Sequence, residues 1–287
     1  MEFRMEFSPS VWTQQIRHSE RIMLIGSCFT EQIGNKMSHH KFRTLENPNG
    51  ILFNPVSIAT AIQSYISNKS YGEADLFLHD EIWGSWDHHT RFSGLNKEKT
   101  ISLINDSISS AHEFLKQADW MIVTLGSAFA YRLEDKRVVA NCHKVPADKF
   151  DKILLSASQV FFEMKTMLES LTSFNPNLKV IFTISPVRHL RDGFVENNRS
   201  KANLITAVHQ LIEVFPHAFY FPAYELVIDD LRDYRFFAED MVHPNYQATQ
   251  YVWEKFMAAV IDEDAKIIMK DINQLQAAKA HKPFQPE

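Results

Sequence analysis

The sequence predicts a single-domain α/β protein whose parallel sheet is covered by helices on both faces. Short apolar runs that are typical of buried strands alternate with longer segments of helical apolar spacing. The clearest strand-like runs are residues 22–25, 120–125 and 179–184, and a glycine directly follows the first two. Ligands bind beyond the carboxyl ends of the strands in such sheets, so the segments that follow the strands are candidate sites.

The other elements can be assigned in chain order from apolar spacing and turn residues. Helices are predicted at residues 29–39, 55–66, 106–117, 149–171, 200–215, 246–261 and 264–280. Two shorter strands are predicted at residues 41–45 and 217–221. Residues 67–105 are aromatic-rich and irregular, which indicates an insertion, and residues 264–287 are predicted to form a peripheral helix and tail on a domain that spans residues 1–287.

Composition argues against several classes of function. The chain has 287 residues, of which 45% are hydrophobic, with a formal net charge of -5 and scattered basic residues. This balance gives no electrostatic reason to expect a nucleic-acid partner. No apolar stretch approaches the roughly 18 residues of a membrane span, and the N-terminal residues lack the apolar run of a signal peptide. Cytoplasmic residence is therefore the expectation.

Cofactor and metal motifs are absent from the sequence. Its only cysteines, Cys28 and Cys142, are too few for a disulfide framework. The histidine pairs are adjacent in sequence and therefore point in different directions. Neither metal-ligand spacings nor glycine-rich nucleotide loops occur. We expect no metal and no cofactor.

The segment Gly26-Ser27-Cys28-Phe29-Thr30 is the first candidate site. A predicted strand ends at a glycine, two potential nucleophiles follow, and a predicted helix begins. Backbone N–H groups at a helix N-terminus lower a thiol pKa and bind an oxyanion. The structural alternative is that Ser27 only caps the helix and Cys28 is a small buried residue.

The second candidate is the loop Asp240-Met241-Val242-His243 before the last long helix. An aspartate can orient one imidazole nitrogen so that the other acts as a general base. Alternatively, the aspartate is a solvated loop residue and the histidine caps the helix.

Taken together, these blocks resemble the GSCFA-domain family, which looks like a divergent branch of the GDSL/SGNH hydrolases. Gly26-Ser27-Cys28-Phe29 carries the family name, with Thr30 in place of its alanine, and residues 240–245 resemble the superfamily's Asp–His block. The resemblance covers most of the chain and implies a three-layer α/β/α fold with a five-stranded parallel sheet in flavodoxin-like order. It also assigns an oxyanion-hole N–H to Gly50, in the block Asn47-Pro48-Asn49-Gly50.

The chain departs from the GDSL pattern in two places. Cys28 occupies the slot of the nucleophilic serine and Ser27 that of the aspartate, so the alignment favours Cys28, although a shifted turn would present Ser27. Ala128 occupies the slot of an asparagine that donates to the oxyanion. Ser127 or Asn141 would have to supply that donor.

Further polar residues lie where a substrate is expected. Arg188 follows the predicted strand 179–184, and His89 lies in the insertion that would fold over the cleft. Both are candidate substrate-binding residues, with ordinary surface hydrogen bonding as the alternative.

The resemblance implies a hydrolase or acyltransferase that acts on an ester, including O-acyl groups on carbohydrate. Attack by Cys28 or Ser27 would use His243 as base, oriented by Asp240. The alternative function is a non-catalytic module that binds carbohydrate or peptide, with aromatic residues such as Trp83, Trp86 and Phe92 gripping the ligand. The sequence leaves the oligomeric state open.

Overall fold

A five-stranded parallel sheet forms the centre of the computed structural model, which describes residues 5–280. Its strands are β1 (Arg21–Gly26), β2 (Arg43–Glu46), β5 (Trp120–Leu125), β9 (Lys179–Ile184) and β10 (Ala218–Tyr220). They lie in the order β2-β1-β5-β9-β10, and every pairing between them is parallel. The predicted flavodoxin-like order is therefore confirmed.

Helices cover both faces of this sheet. They are α1 (Cys28–His39), α2 (Pro55–Ser67), α3 (Lys97–Leu115), α4 (Ala157–Phe174), α5 (Gly193–Val214), the short α6 (Ala223–Glu225), α7 (Tyr246–Val260) and α8 (Glu263–Ala280). Side chains alternate along the strands, so Met23 and Ile25 pack under α2–α5 while Ile22 and Leu24 pack under α1, α7 and α8. Two separate buried clusters result, and the three-layer prediction is confirmed.

Two antiparallel elements decorate the sheet. Strands β3 (Leu76–His79) and β4 (Ile82–Ser85) form a hairpin within the predicted insertion. Strands β6 (Phe129–Arg132), β7 (Val138–Val139) and β8 (Asp151–Leu154) form a three-stranded sheet between β5 and α4. The second sheet places residues of the loop 140–142 near the carboxyl ends of the parallel strands.

Three predicted boundaries were wrong. Helix α3 begins at Lys97 rather than residue 106, because the Asn96 side chain caps it by accepting the Lys99 N–H at 2.7 Å. Residues 150–156 are not helical, since β8 pairs with β6 there and Ser156 caps α4. Helix α5 begins at Gly193 rather than residue 200.

The C-terminal helix is more firmly attached than the sequence indicates. Ala265 and Met269 of α8 are buried in the cluster formed by α1 and α7. Residues 281–287 of the predicted tail lie outside the described residues. Within residues 5–280, no helix combines the length and apolarity needed to cross a membrane.

The carboxyl end of β1 depends on a glycine. Gly26 has φ +140°, and a Cβ built there would lie 2.2 Å from the Thr124 carbonyl oxygen of β5. The Gly26 N–H donates to Asn47 Oδ1 at 2.8 Å, and its carbonyl accepts the Leu52 N–H at 2.9 Å. This close approach joins the end of β1 to β5 and to the segment after β2.

We predict that Gly26→Ala lowers the free energy of unfolding by about 3 kcal/mol or more, because both the backbone conformation and the contact with Thr124 exclude a methyl group. Chemical denaturation measures the change. Gly72→Ala is the matched control, since a Cβ at Gly72 meets nothing within 4 Å. Equal stability of the two variants would contradict the proposed constraint.

Candidate active site

The first candidate turn follows β1, at the point in the sheet where the strand order reverses. Strands β1 and β5 are neighbours, and the chain leaves them toward opposite faces, which makes their carboxyl ends the usual ligand-binding position of this fold. A Cβ built at Gly126, just after β5, would lie 3.2 Å from the Ser27 Cβ and 3.3 Å from the Phe53 ring. The segments after β1, β2 and β5 therefore meet at this point.

Ser27 occupies the N-cap position of α1 but makes no capping hydrogen bond through its side chain. By contrast, the N-cap side chains of Asn54, Ser156 and Asn245 each accept a helix N–H. The Ser27 residue is fully buried and its hydroxyl oxygen has no partner among the described residues. The structural alternative, that this serine only caps the helix, is therefore not supported.

Cys28 is the first residue of α1 and is partly exposed. Burial, followed by the negative charge of Glu31, raises the pKa of its thiol, while backbone N–H groups and the Lys201 ammonium act in the opposite direction. The expected lowering by the helix N-terminus is thus outweighed. At neutral pH the thiol carries its proton, and a base is needed to remove it.

Asp240 and His243 form a close pair in the second candidate loop. His243 Nδ1 lies 2.6 Å from Asp240 Oδ2, while Asp240 Oδ1 accepts the backbone N–H groups of Val242 at 2.9 Å and His243 at 3.0 Å. These bonds lower the Asp240 pKa to about 2. An ionised carboxylate only accepts hydrogen bonds, so the imidazole proton is on Nδ1 and Nε2 is left as a base.

The cleft at the carboxyl edge of the sheet includes a residue of this loop but neither Ser27 nor Cys28 of the first turn. Val242 lines the cleft, and its carbonyl accepts the Arg188 N–H at 3.1 Å. His243 and Asp240 are both half-exposed. No hydrogen bond joins His243 to the Ser27 hydroxyl, which has no partner within residues 5–280.

The cleft has a volume of about 440 Å³ at the carboxyl edge of the sheet. It brings together residues that follow β2, β5, β7 and β9. Of the predicted site residues, three line the cleft and the others do not. The three are Ser127, Asn141 and Arg188. No three His, Cys, Asp or Glu side chains within residues 5–280 are grouped as a metal site.

Two predicted oxyanion donors line this cleft. The Ser127 hydroxyl accepts the Phe129 N–H at 3.0 Å and lies 3.2 Å from the Ser200 hydroxyl. Asn141 Oδ1 accepts the His143 N–H at 2.7 Å, which orients its side chain. Ala128, in the slot of the usual asparagine, is buried, and its N–H donates to Ser200 Oγ at 2.7 Å.

Gly50 and His89 contact each other at the turn of residues 47–50. The Gly50 N–H donates to the Asn47 carbonyl at 2.7 Å, so the donor assigned by the resemblance is already used within the turn. His89 packs directly on Gly50, where a Cβ would lie 2.2 Å from the His89 Cβ. Arg91 bonds the Asn47 carbonyl as well. The insertion thus covers this turn.

The aromatic residues of the insertion pack against one another. Trp86 stacks on Phe77 with ring centroids 3.7 Å apart, and Phe92 is buried beside His88. The aromatic residues that line the cleft come from elsewhere in the chain: Phe53, Phe129 and Tyr131.

Lys201 is a site residue that the sequence did not reveal. This lysine of α5 is fully buried, and its ammonium donates to the Gly126 carbonyl at 2.6 Å and the Ser185 carbonyl at 2.7 Å. It joins the ends of β5 and β9 beneath the cleft. In sequence it is one of several polar residues near the start of the predicted helix, beside Arg199 and Ser200, and so it gave no signal of function.

Asn47 is a second such residue. Its Oδ1 must accept the Gly26 N–H, which fixes the orientation of its amide, and its buried Nδ2 has no partner among the described residues. The sequence indicated only a turn at this position. A donor without a partner therefore adjoins the end of β1.

Comparison with known proteins supplies the family. The model of the GSCFA family matches residues 21–256. A search of curated protein sequences finds no significant match.

The solved structures matched by this chain include a carbohydrate esterase of family 3 from Talaromyces cellulolyticus, at 11% identity and a TM-score of 0.40, with 89% of this chain and 99% of that chain covered. Another is an acetyl xylan esterase from Butyrivibrio proteoclasticus, at 12% identity and a TM-score of 0.41, with 90% of this chain and 65% of that chain covered. These TM-scores lie below 0.5, so the backbones diverge substantially.

We predict that the buried ammonium makes stability depend on pH. Burial lowers the pKa of Lys201 to about 7 from its ordinary 10.5. Between these values the unfolded chain binds a proton that the folded chain has released, so the free energy of unfolding rises with pH. We expect the free energy of unfolding of the wild type minus that of Lys201→Met to increase with pH across this range, as measured by chemical denaturation. A flat or falling difference would contradict it, and the exposed Lys116→Met is the control.

Proposed function

The chain belongs to the GSCFA family, and we propose that it cleaves an ester by acyl transfer to Cys28 or Ser27, with His243 as the base. The observation that carries the proposal is the Asp240–His243 pair, whose 2.6 Å hydrogen bond leaves His243 Nε2 free to accept a proton. Val242 of this loop lines the cleft at the carboxyl edge of the sheet. The loop and the first turn come from opposite ends of the chain.

The reaction would proceed in two steps. The nucleophile attacks the ester carbonyl carbon while its proton passes to His243 Nε2, and the tetrahedral intermediate collapses as the alcohol leaves with that proton. Water then attacks the acyl carbon and gives a proton to His243, the bond from that carbon to the nucleophile breaks, and the nucleophile takes the proton back as the acid leaves. If an alcohol replaces water, the acyl group is transferred instead.

Two observations favour Cys28 as the nucleophile. It is partly exposed and lies at the first helical position, where α1 N–H groups point toward a developing anion. Its raised thiol pKa makes a neighbouring base necessary. For Ser27, the unpartnered hydroxyl is favourable, whereas its full burial keeps substrate away.

The oxyanion would be held by backbone N–H groups at the start of α1, assisted by Ser127. Ser127 lines the cleft and has a hydroxyl that can redirect its proton. Gly50 would contribute only by sharing the N–H that it now donates to Asn47. Asn141 is the further candidate donor from the cleft wall.

A second candidate function is a binding module without catalysis. The buried Ala128 supplies no side-chain donor, and the Gly50 N–H is already used. Phe53, Phe129 and Tyr131 would then contact the bound ligand. Substrate turnover separates this function from the proposed one.

We predict that Asp240→Asn and His243→Ala each lower kcat/KM for short acyl esters by about 10² to 10⁴-fold, because the first removes the acceptor that fixes the imidazole proton and the second removes the base. Initial-rate assays with p-nitrophenyl acetate measure the loss. His39→Ala is the control, since His39 is exposed on α1. If His243→Ala retains wild-type turnover, the mechanism is wrong.

The nucleophile is identified by a separate comparison. We expect Cys28→Ala to abolish turnover, Cys28→Ser to retain a small fraction of it, and Ser27→Ala to retain most of it. A serine can still be deprotonated by His243, whereas alanine cannot attack. Fragmentation mass spectrometry of the acylated peptide, in a Cys142→Ala background that removes the other free thiol, locates the modified residue. Full activity of Cys28→Ala together with inactive Ser27→Ala would reverse the assignment.

A further inference from the structure

The cleft carries more positive than negative charge. Lys152, Arg188 and Arg191 line it, and Asp192 is the one carboxylate among its lining residues. The Lys152 ammonium is bonded to Asp192, so these two charges offset each other. Neither arginine forms an ion pair with a carboxylate of residues 5–280. A chain with a net charge of -5 thus keeps two unpaired cations at one cleft.

Two buried polar atoms at the same wall have no partner. Arg188 Nη1 and His189 Nε2 are both buried and make no hydrogen bond with the described residues. Buried polar side-chain atoms are nearly always hydrogen-bonded, so adjacent exceptions that line a cleft point to a ligand. Burial, with smaller effects of Lys201 and His243, lowers the His189 pKa to about 4, so this imidazole is neutral at neutral pH.

Arg188 is held in place by aromatic side chains rather than by carboxylates. Its guanidinium lies 4.0 Å from the Phe237 ring centroid and 5.0 Å from that of Tyr234. Its backbone N–H donates to the Val242 carbonyl, which fixes it beside the loop that carries His243. Such contacts restrain the guanidinium while leaving N–H groups for an anion.

We propose that Arg188 and His189 form a carboxylate-binding subsite, so that the ester accepted by the cleft carries a carboxylate. That the ligand is an ester rests on the proposed function, whereas the binding of a carboxylate at this subsite does not. A planar carboxylate matches the guanidinium fork and also accepts from the neutral imidazole when its proton is on Nε2. Arg191, exposed at the rim, adds a longer-range attraction.

The remaining lining fits a flat organic group beside this subsite. Phe53 lies edge-on to the His189 ring, with centroids 5.5 Å apart, and its carbonyl accepts the N–H groups of Gly126 and Ser127 at 2.9 Å each. Phe129 and Tyr131 line the cleft as well. A ring that bears the carboxylate can pack against these aromatic side chains.

The test uses matched anionic and neutral probes. Binding of 4-hydroxybenzoate and 4-hydroxybenzamide to the full chain is measured by calorimetry, which needs no turnover. We expect the wild type to bind the anion at least about tenfold more tightly than the amide, since a charge-assisted hydrogen bond distinguishes them. Hydrolysis of 4-acetoxybenzoate and 4-acetoxybenzamide is then compared, with the same preference expected in kcat/KM.

Variants assign the preference to Arg188. Arg188→Met keeps an apolar side chain against Phe237 but removes the charge and the donors, and we expect the anion preference to fall to within about twofold. Arg188→Lys should retain part of it. Arg199→Gln is the control, because Arg199 is an exposed arginine of α5 paired with Glu196. Arg191→Gln, at an exposed position where folding is not at risk, should weaken the preference partially.

The outcomes separate this subsite from the proposed reaction. Equal binding of the two probes by the wild type, or an unchanged preference in folded Arg188→Met, overturns the subsite. If Arg188→Met does not fold, an anion preference in the wild type that Arg191→Gln reduces supports it, and an equal affinity in the wild type still refutes it. A clear anion preference without hydrolysis of either acetyl ester upholds the subsite while refuting the esterase proposal.

Discussion

The site depends on how closely the ends of β1 and β5 approach each other. At Gly26 the space between the strands is too small for a side chain, since a Cβ would lie 2.2 Å from the Thr124 oxygen. The chain therefore turns sharply, and Ser27 and Cys28 emerge where the sheet changes direction. Asn47 locks the turn by accepting the Gly26 N–H. Because core packing fixes this approach, the position of the candidate nucleophiles is a property of the fold rather than of a loop.

A second constraint comes from the far side of the turn. Lys201 crosses from α5 to bond the carbonyls that follow β5 and β9, at Gly126 and Ser185. Ammonium groups are rarely buried without a carboxylate, and burial lowers the pKa of this one to about 7. Its charge also acts against the rise in the Cys28 thiol pKa caused by burial and Glu31. The fold thus keeps a costly buried group directly behind the candidate site.

Much of this arrangement could be predicted from the sequence, for physical reasons. Parallel strands that are buried on both faces give nearly continuous apolar runs, so residues 120–125 and 179–184 were assigned correctly. The antiparallel sheet between β5 and α4 was missed because its short, partly exposed strands lack such runs. Lys201 was missed for a different reason. Its partners are backbone carbonyls, and tertiary contacts of this kind leave no pattern in sequence.

The two halves of the proposed chemistry are held by different kinds of interaction. The turn at Gly26 is fixed by contacts between strands, whereas the Asp240–His243 pair is formed within four residues by its own backbone and side chains. The loop is closed by the bond from the Ala238 N–H to the His243 carbonyl at 2.7 Å, and the Arg188 N–H attaches it to the segment after β9 by donating to the Val242 carbonyl at 3.1 Å. In the proposed subsite Arg188 would link ligand and base, because its backbone N–H bonds the loop that carries His243. Binding energy from a remote carboxylate would then help to orient the imidazole, as expected where remote contacts favour the transition state.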